Sequence, residues 1–303
     1  MTLSHQVLQS WQKDFAERHR LPSAYIFDIE RSLSVKSIPV FLHQFGAKKP
    51  EVMGIYGAQG SGKSTLAAYL AARFKAESGR SALVLSIDDF YLTRAEREKL
   101  AEAVHPLLIT RGVPGTHDVP LLLQILDQLI NFTGPLSIPR FDKLTDDRVP
   151  IEQFDLVTEP VDLVILEGWC VGITPEPTQN LLAAVNGLEA AQDETGAWRT
   201  YVNNQLRDQY LSVWDRLDFL WALVAPNFEA VYGWRLEQET KMAESRGLAP
   251  MTPSELAHFV SHYERLTRHS IESIPKVADL SWFLDQNRTV VQIEQNEAFT
   301  FDD

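Results

Sequence analysis

The sequence predicts an α/β fold: a mainly parallel sheet with helices on both faces, preceded by an N-terminal helical extension. Three observations predict it. From Val52 onward, short and almost uninterrupted apolar runs alternate with stretches of helical periodicity. The first run passes through a glycine-rich segment directly into a helical pattern, and two further runs end in acidic residues. Strands buried on both faces have this composition, and strands alternating with helices form parallel sheets.

Along the chain, Leu3, Val7, Leu8, Trp11 and Phe15 fall on one face of a helix over residues 3–18. Pro22 and the stretch up to Lys49 and Pro50 connect it to the main body, so residues 1–50 form the extension and 51–303 the main domain. Strands are expected at Val52–Tyr56, Ala82–Ser86, Leu163–Leu166, Phe219–Val224 and Thr289–Ile293. Helices are expected at about 64–77, 118–131, 198–214, 227–245 and 253–269. No repeat or low-complexity tract interrupts the pattern.

The segment Gly57-Ala58-Gln59-Gly60-Ser61-Gly62-Lys63-Ser64-Thr65 is G-x-x-x-x-G-K-[ST] in its strand–loop–helix setting. Glycines let backbone N–H groups converge on phosphate oxygens, and the following helix N-terminus adds partial positive charge. Lys63 is expected at the β- and γ-phosphates of ATP, and the Ser64 hydroxyl at Mg²⁺. The fold is therefore of the P-loop NTPase type. Such loops also serve GTPases and translocases. The guanine-reading N-K-x-D is absent from the sequence, and the net charge of −13 disfavours a nucleic-acid partner or an anionic membrane surface.

Carboxylates mark the carboxyl ends of two strands, the edge that borders ligands in open α/β sheets. Asp88, in Ser86-Ile87-Asp88-Asp89-Phe90-Tyr91, is the candidate base for an attacking hydroxyl. Asp89 either raises a neighbouring pKa by like-charge repulsion or caps a helix. Glu167, in Glu167-Gly168-Trp169, stands where a P-loop protein holds Mg²⁺; a solvated loop glutamate is the alternative. Arg111-Gly112-Val113-Pro114-Gly115-Thr116-His117-Asp118 and Ile138-Pro139-Arg140-Phe141-Asp142-Lys143 gather cations and small polar groups suited to a small polar or anionic molecule. Asp118 could equally be an N-cap.

These elements together resemble the P-loop kinases related to uridine kinase, phosphoribulokinase and bacterial pantothenate kinase, and within them the D-glycerate 3-kinase-like family. GAQGSGKST, LSIDDFYL, RGVPGTHD, IPRFDK and VILEGW carry the resemblance, joined by Trp198-Arg199 with Tyr201, APNFEAVYGWRLEQE and FVSHYERLTRH, over roughly residues 50–295. It implies a kinase with Lys63, Ser64 and Thr65 at the nucleotide, Asp88 as base and Glu167 at the metal. By the same resemblance Asp89, Tyr91, Arg111, His117, Asp118 and Lys143 fall on the acceptor side, with D-glycerate the favoured acceptor. A lid follows the strand at 219–224, at about 227–247, with Arg235 and Arg246 candidates for neutralising transition-state charge. Glu237 and Lys241, spaced i,i+4, also fit a plain solvated surface. The alternatives are a kinase of another small alcohol, such as a nucleoside or pantothenate-like molecule, and an ATP-binding regulatory protein without turnover.

His258 and His262 share a helical face, but no H-E-x-x-H accompanies them, so packing is expected. Trp198, Trp214, Trp221 and Trp234 are expected in the core. Cys170, the single cysteine, has no base beside it and reads as a packed thiol. No apolar run approaches the roughly 20 residues of a membrane span. A cytoplasmic location follows as an expectation, with oligomeric state left open.

Overall fold

A computed structural model describes residues 8–34, 50–246 and 249–296. Leu3 and Val7, and the side chain of Arg246, lie outside the described residues. The strands are β1 (Glu51–Gly57), β2 (Ala82–Ser86), β3 (Leu136–Ile138), β4 (Phe141–Asp142), β5 (Asp147–Arg148), β6 (Asp155–Val157), β7 (Leu163–Gly168), β8 (Phe219–Val224), β9 (Leu280–Leu284) and β10 (Val290–Gln295). The α-helices are α1 (Ser10–Arg18), α2 (Ser23–Leu33), α3 (Lys63–Ser78), α4 (Arg94–Ala103), α5 (Val119–Ile130), α6 (Gly187–Gln192), α7 (Ala197–Gln205), α8 (Leu211–Trp214), α9 (Phe228–Arg246) and α10 (Pro253–Ser273).

Six strands form one sheet in the order β10-β9-β8-β1-β7-β2. All pairs are parallel except β9 with β10. Because side chains alternate across a strand, each central strand feeds two cores. Val52 and Tyr56, Val164 and Leu166, and Leu220, Ala222 and Val224 face α5, α7 and α10. Met53 and Ile55, Leu163 and Ile165, and Phe219, Trp221 and Leu223 face α1, α2 and α3. This is why the strand sequences are apolar at nearly every position. Trp221 and Trp282 meet edge to face on the second side, with ring centroids 4.8 Å apart.

Several elements depart from the sequence expectation. The stretch expected as one helix at 198–214 is helical throughout but passes through a π turn at Leu206–Tyr210. The last strand is not buried on both faces: β10 is an antiparallel edge strand with its polar residues outward. Its partner β9, whose LSWFL was not anticipated, is the buried one. Helices α2 and α4 were also not anticipated. In α4, Thr93 and Glu96 form a capping box, a local signal legible in T-x-x-E.

A buried polar cluster seats the N-terminal pair on α3. Glu30 accepts hydrogen bonds from Gln12 at 3.1 Å and from Arg73 at 3.2 Å, and a further short one from the Tyr69 hydroxyl. Among the described residues, no helix is long and apolar enough to cross a membrane.

Candidate active site

The phosphate loop is shaped by two glycines in the left-handed region, Gly60 at φ 77° and Gly62 at φ 95°. A Cβ on Gly60 would meet the Trp234 Cβ at 2.7 Å, so α9 packs directly on the loop. The next residues, Lys63 and Ser64, open α3, and both reach toward β7. Ser64 Oγ donates to Glu167 Oε1 at 2.9 Å, and Lys63 Nζ lies 3.9 Å from Glu167 Oε2. Glu167 is buried as the penultimate residue of β7, and its Oε2 has no hydrogen-bond partner among the described residues.

That pairing bears on Mg²⁺. A hydroxyl and a buried carboxylate with an unsatisfied oxygen form a hard, oxygen-only donor set beside the phosphate loop. Among the described residues no group of three His, Cys, Asp or Glu side chains gathers to hold a metal alone. Mg²⁺ is commonly bound through one or two protein groups plus substrate phosphates. Ser64 and Glu167 fit it.

Asp88 lies in a single 3-10 turn, Ile87–Phe90, just past β2. Its Oδ2 accepts from Lys143 Nζ at 2.6 Å and its Oδ1 from the Tyr91 hydroxyl at 2.7 Å. Burial pushes the Asp88 pKa up, but the Lys143 and Lys63 charges and these two hydrogen bonds outweigh it and hold the carboxyl well below its usual range. Asp89 has a different task. Its carboxylate takes Arg140 Nη1 at 2.5 Å and the Phe141 N–H at 3.2 Å, fastening the β3–β4 connection. Burial raises the Asp89 pKa, with the Asp88 charge the smallest of the causes, and the neighbouring Asp88 is lowered and not raised, so the expected like-charge rise does not appear there.

A cavity of about 280 Å³ opens between these groups, bordered by Lys63, Asp88, Tyr91, Arg111, Lys143 and Arg235. Arg111 is paired with Asp146 and lies 5.6 Å from the Phe141 ring centroid. Arg235, on α9, pairs with Glu239 at 2.7 Å and lies 5.3 Å from the Phe259 ring centroid. Each guanidinium is thus held by a carboxylate and an aromatic face before any ligand arrives.

His117 and Asp118 do not border this cavity. His117 is buried behind Tyr91, rings stacked at 4.5 Å, with Nδ1 2.6 Å from the Tyr210 hydroxyl. Burial lowers its pKa to about 4, so it is neutral and, against the expectation that it falls on the acceptor side with Arg111, brings no charge to the cavity. The π turn ends at Tyr210, whose hydroxyl also accepts the Gly115 N–H at 3.0 Å. Asp118 is the N-cap of α5, accepting from the Leu121 N–H at 3.1 Å and pairing with Arg148 at 3.1 Å.

Sequence reasoning missed Arg288. It sits in the β9–β10 turn at φ 67°, donates to the Gly60 carbonyl at 2.6 Å and pairs with Glu237 at 2.7 Å. Nothing local marks it, because it reaches the loop only through strand order.

No protein-family model matches the chain. Individual proteins do. The probable ATP-dependent kinase TDA10 of Saccharomyces cerevisiae is 31% identical over 284 residues, covering 84% of this chain and 91% of that protein. The chain belongs to the P-loop kinase family. The chloroplastic D-glycerate 3-kinase of Arabidopsis thaliana is 32% identical over 226 residues, 71% of this kinase but 46% of the plant protein. Among solved structures, a D-glycerate 3-kinase from Cryptococcus neoformans var. grubii superposes with a TM-score of 0.70 at 27% identity, covering 85% of this chain and 96% of that one. The kinase is accordingly an ATP-dependent phosphotransferase.

Trp198, Trp221 and Trp234 are buried and Trp214 is partly so. Cys170 lies wholly in the core, where burial raises its thiol pKa. His262 is buried edge-on to Trp198, its Nδ1 3.1 Å from the His258 carbonyl.

Proposed function

We propose that this kinase phosphorylates a small hydroxy acid, D-glycerate in the first instance, giving 3-phosphoglycerate. One observation carries the reading: Asp88, the base-type carboxylate, shares its cavity with Arg111, Lys143 and Arg235. With Lys63, four cations border the cavity against two carboxylates, Asp88 and Glu239, and that excess of positive charge suits an acceptor that itself carries a carboxylate, whereas a nucleoside offers no such charge. The similarity to the plant and fungal D-glycerate 3-kinases supports the same class.

In this reading the Gly57–Thr65 loop and Lys63 cradle the ATP phosphates, and Ser64 and Glu167 hold Mg²⁺, which would neutralise charge on the β- and γ-phosphates. Asp88 orients the acceptor hydroxyl and takes its proton. Its depressed pKa makes it a weak base, which suffices when the proton leaves late in a loose, metaphosphate-like transfer. Arg111 and Lys143 fix the acceptor carboxylate, and Arg235 approaches the phosphoryl group from α9, the lid element. Asp89, His117 and Asp118 shape the acceptor side from behind, through Arg140, Tyr91 and Arg148. The unpaired Cys170 is compatible with a reducing, cytoplasmic compartment.

The test is transfer from Mg-ATP to D-glycerate, uridine and pantothenate in parallel, with product identified by mass. Phosphate on uridine alone refutes the hydroxy-acid reading, and phosphate on pantothenate alone, itself a hydroxy acid, refutes D-glycerate as the acceptor. ATP binding without transfer to any acceptor favours the regulatory alternative.

A further inference from the structure

Two more cavities adjoin the phosphate loop on the side away from Asp88. One, of about 380 Å³, borders Lys63, Ser64 and Thr65. The other, of about 230 Å³, is lined from α2 by Tyr25, Ile29 and Ser32, from β9 and the turn after it by Trp282, Leu284 and Asn287, and from the phosphate loop by Gly62. Tyr25, Gly62 and Arg288 border both.

Strand order decides what each can hold. The acceptor cavity sits past β2 and β7, so a phosphate chain gripped by Lys63 and aimed at Asp88 must run the other way, toward β8 and β9. The 230 Å³ cavity lies there. It is smaller than the roughly 300–1,000 Å³ of a pocket for a whole drug-sized ligand. Its floor is apolar, with Trp282 and Leu284 buried, and its rim is polar at Asn287. A flat heterocycle with apolar faces and a polar edge has that complementarity. An Asn side chain pairs two-pronged with the donor and acceptor of an adenine edge, and guanine offers two acceptors there instead.

We infer that the N-terminal helix pair is a nucleotide-binding element: α2 walls the nucleobase pocket, Tyr25 packs on the base and Asn287 reads its edge in favour of adenine. This deepens the kinase reading and rests on the phosphate loop binding ATP. The Glu30 cluster with Tyr69 and Arg73 is what keeps α2 in register with α3, and so with Gly62.

The experiment is calorimetric titration of the full chain with Mg-ATP, Mg-GTP and Mg-tripolyphosphate, for wild type, Tyr25→Ala and Asn287→Leu. Loss of an aromatic platform under a base costs roughly tenfold or more, so Tyr25→Ala is expected to weaken ATP by about that factor with tripolyphosphate unchanged. Asn287, on an exposed turn, tests the same pocket without touching the core; Asn287→Leu is expected to erase the ATP-over-GTP preference. An equal loss for ATP and tripolyphosphate in Tyr25→Ala, or no change in ATP affinity or base preference in either variant, overturns the inference. If wild type binds neither ATP nor tripolyphosphate, the nucleotide reading itself fails and takes this one with it.

Discussion

Lys143 Nζ lies 2.6 Å from Asp88 Oδ2, joining the IPRFDK segment to the SIDDFY segment across 55 residues of sequence. The lysine has two consequences: it anchors the β4–β5 hairpin over the site, and it keeps Asp88 ionised. Lys143→Met is expected to raise the Asp88 pKa, because the charge that lowers it is gone. The acid limb of the kcat/KM profile should then move to higher pH, by a shift readable in a pH–rate series with Mg-ATP saturating. An unmoved limb counts against Asp88 as the titrating group.

Asp88→Asn keeps the shape of the side chain and removes the proton acceptor. General-base loss costs about 10²–10⁴ in rate, so kcat should fall by that range while Mg-ATP affinity, measured by calorimetry, stays within about twofold.

Glu167→Gln should act on the metal. The Ser64 hydroxyl keeps an acceptor at Oε1, but the carboxylate charge next to Lys63 is lost. The Mg²⁺ concentration for half-maximal rate is expected to rise by roughly 10–100-fold, checked by magnesium titration at fixed ATP. A wild-type magnesium requirement removes Glu167 from the metal's surroundings.

His117 makes a stability prediction. Its folded pKa of about 4 lies below its ordinary value of 6.5. Between these pH values the unfolded chain binds a proton that the folded chain refuses, so stability falls as pH drops from 6.5 toward 4. The loss is on the order of 3 kcal/mol when complete. Denaturant midpoints at pH 7 and pH 4.5 should differ less in His117→Gln than in wild type.

Arg265 pairs with Glu189 at 2.6 Å and with Glu176 at 3.5 Å, all three side chains buried. Arg265→Met strands two carboxylates and is expected to cost about 3–5 kcal/mol, seen as a lowered denaturant midpoint without any change in the ATP-to-tripolyphosphate affinity ratio.

The sheet and the phosphate loop were legible because their signals are local. Alternating cores make β1, β7 and β8 apolar throughout, and Gly60, Gly62 and Lys63 keep fixed spacing whatever surrounds them. The ends of β2 and β7 could be read too, which is why Asp88 and Glu167 stood out. What escaped was set by tertiary contact. Neutral His117 depends on Tyr91 covering it, and Asp89 on Arg140 arriving 51 residues later. The π turn at Leu206–Tyr210 leaves a 3.6-residue periodicity nearly intact, so it hides within an ordinary helical pattern. Arg288 is 228 residues from the carbonyl it binds.

That last bond has a practical corollary for anyone trimming the chain. The hairpin that carries Arg288 comes after the phosphate loop, Asp88, Glu167 and α9, and a shortened chain ending after α10 would keep them all. It would also leave the Gly60 carbonyl without its clasp and Glu237 with Lys241 as its remaining counter-ion, so a protein that keeps its site motifs would have lost the brace beneath its phosphate grip.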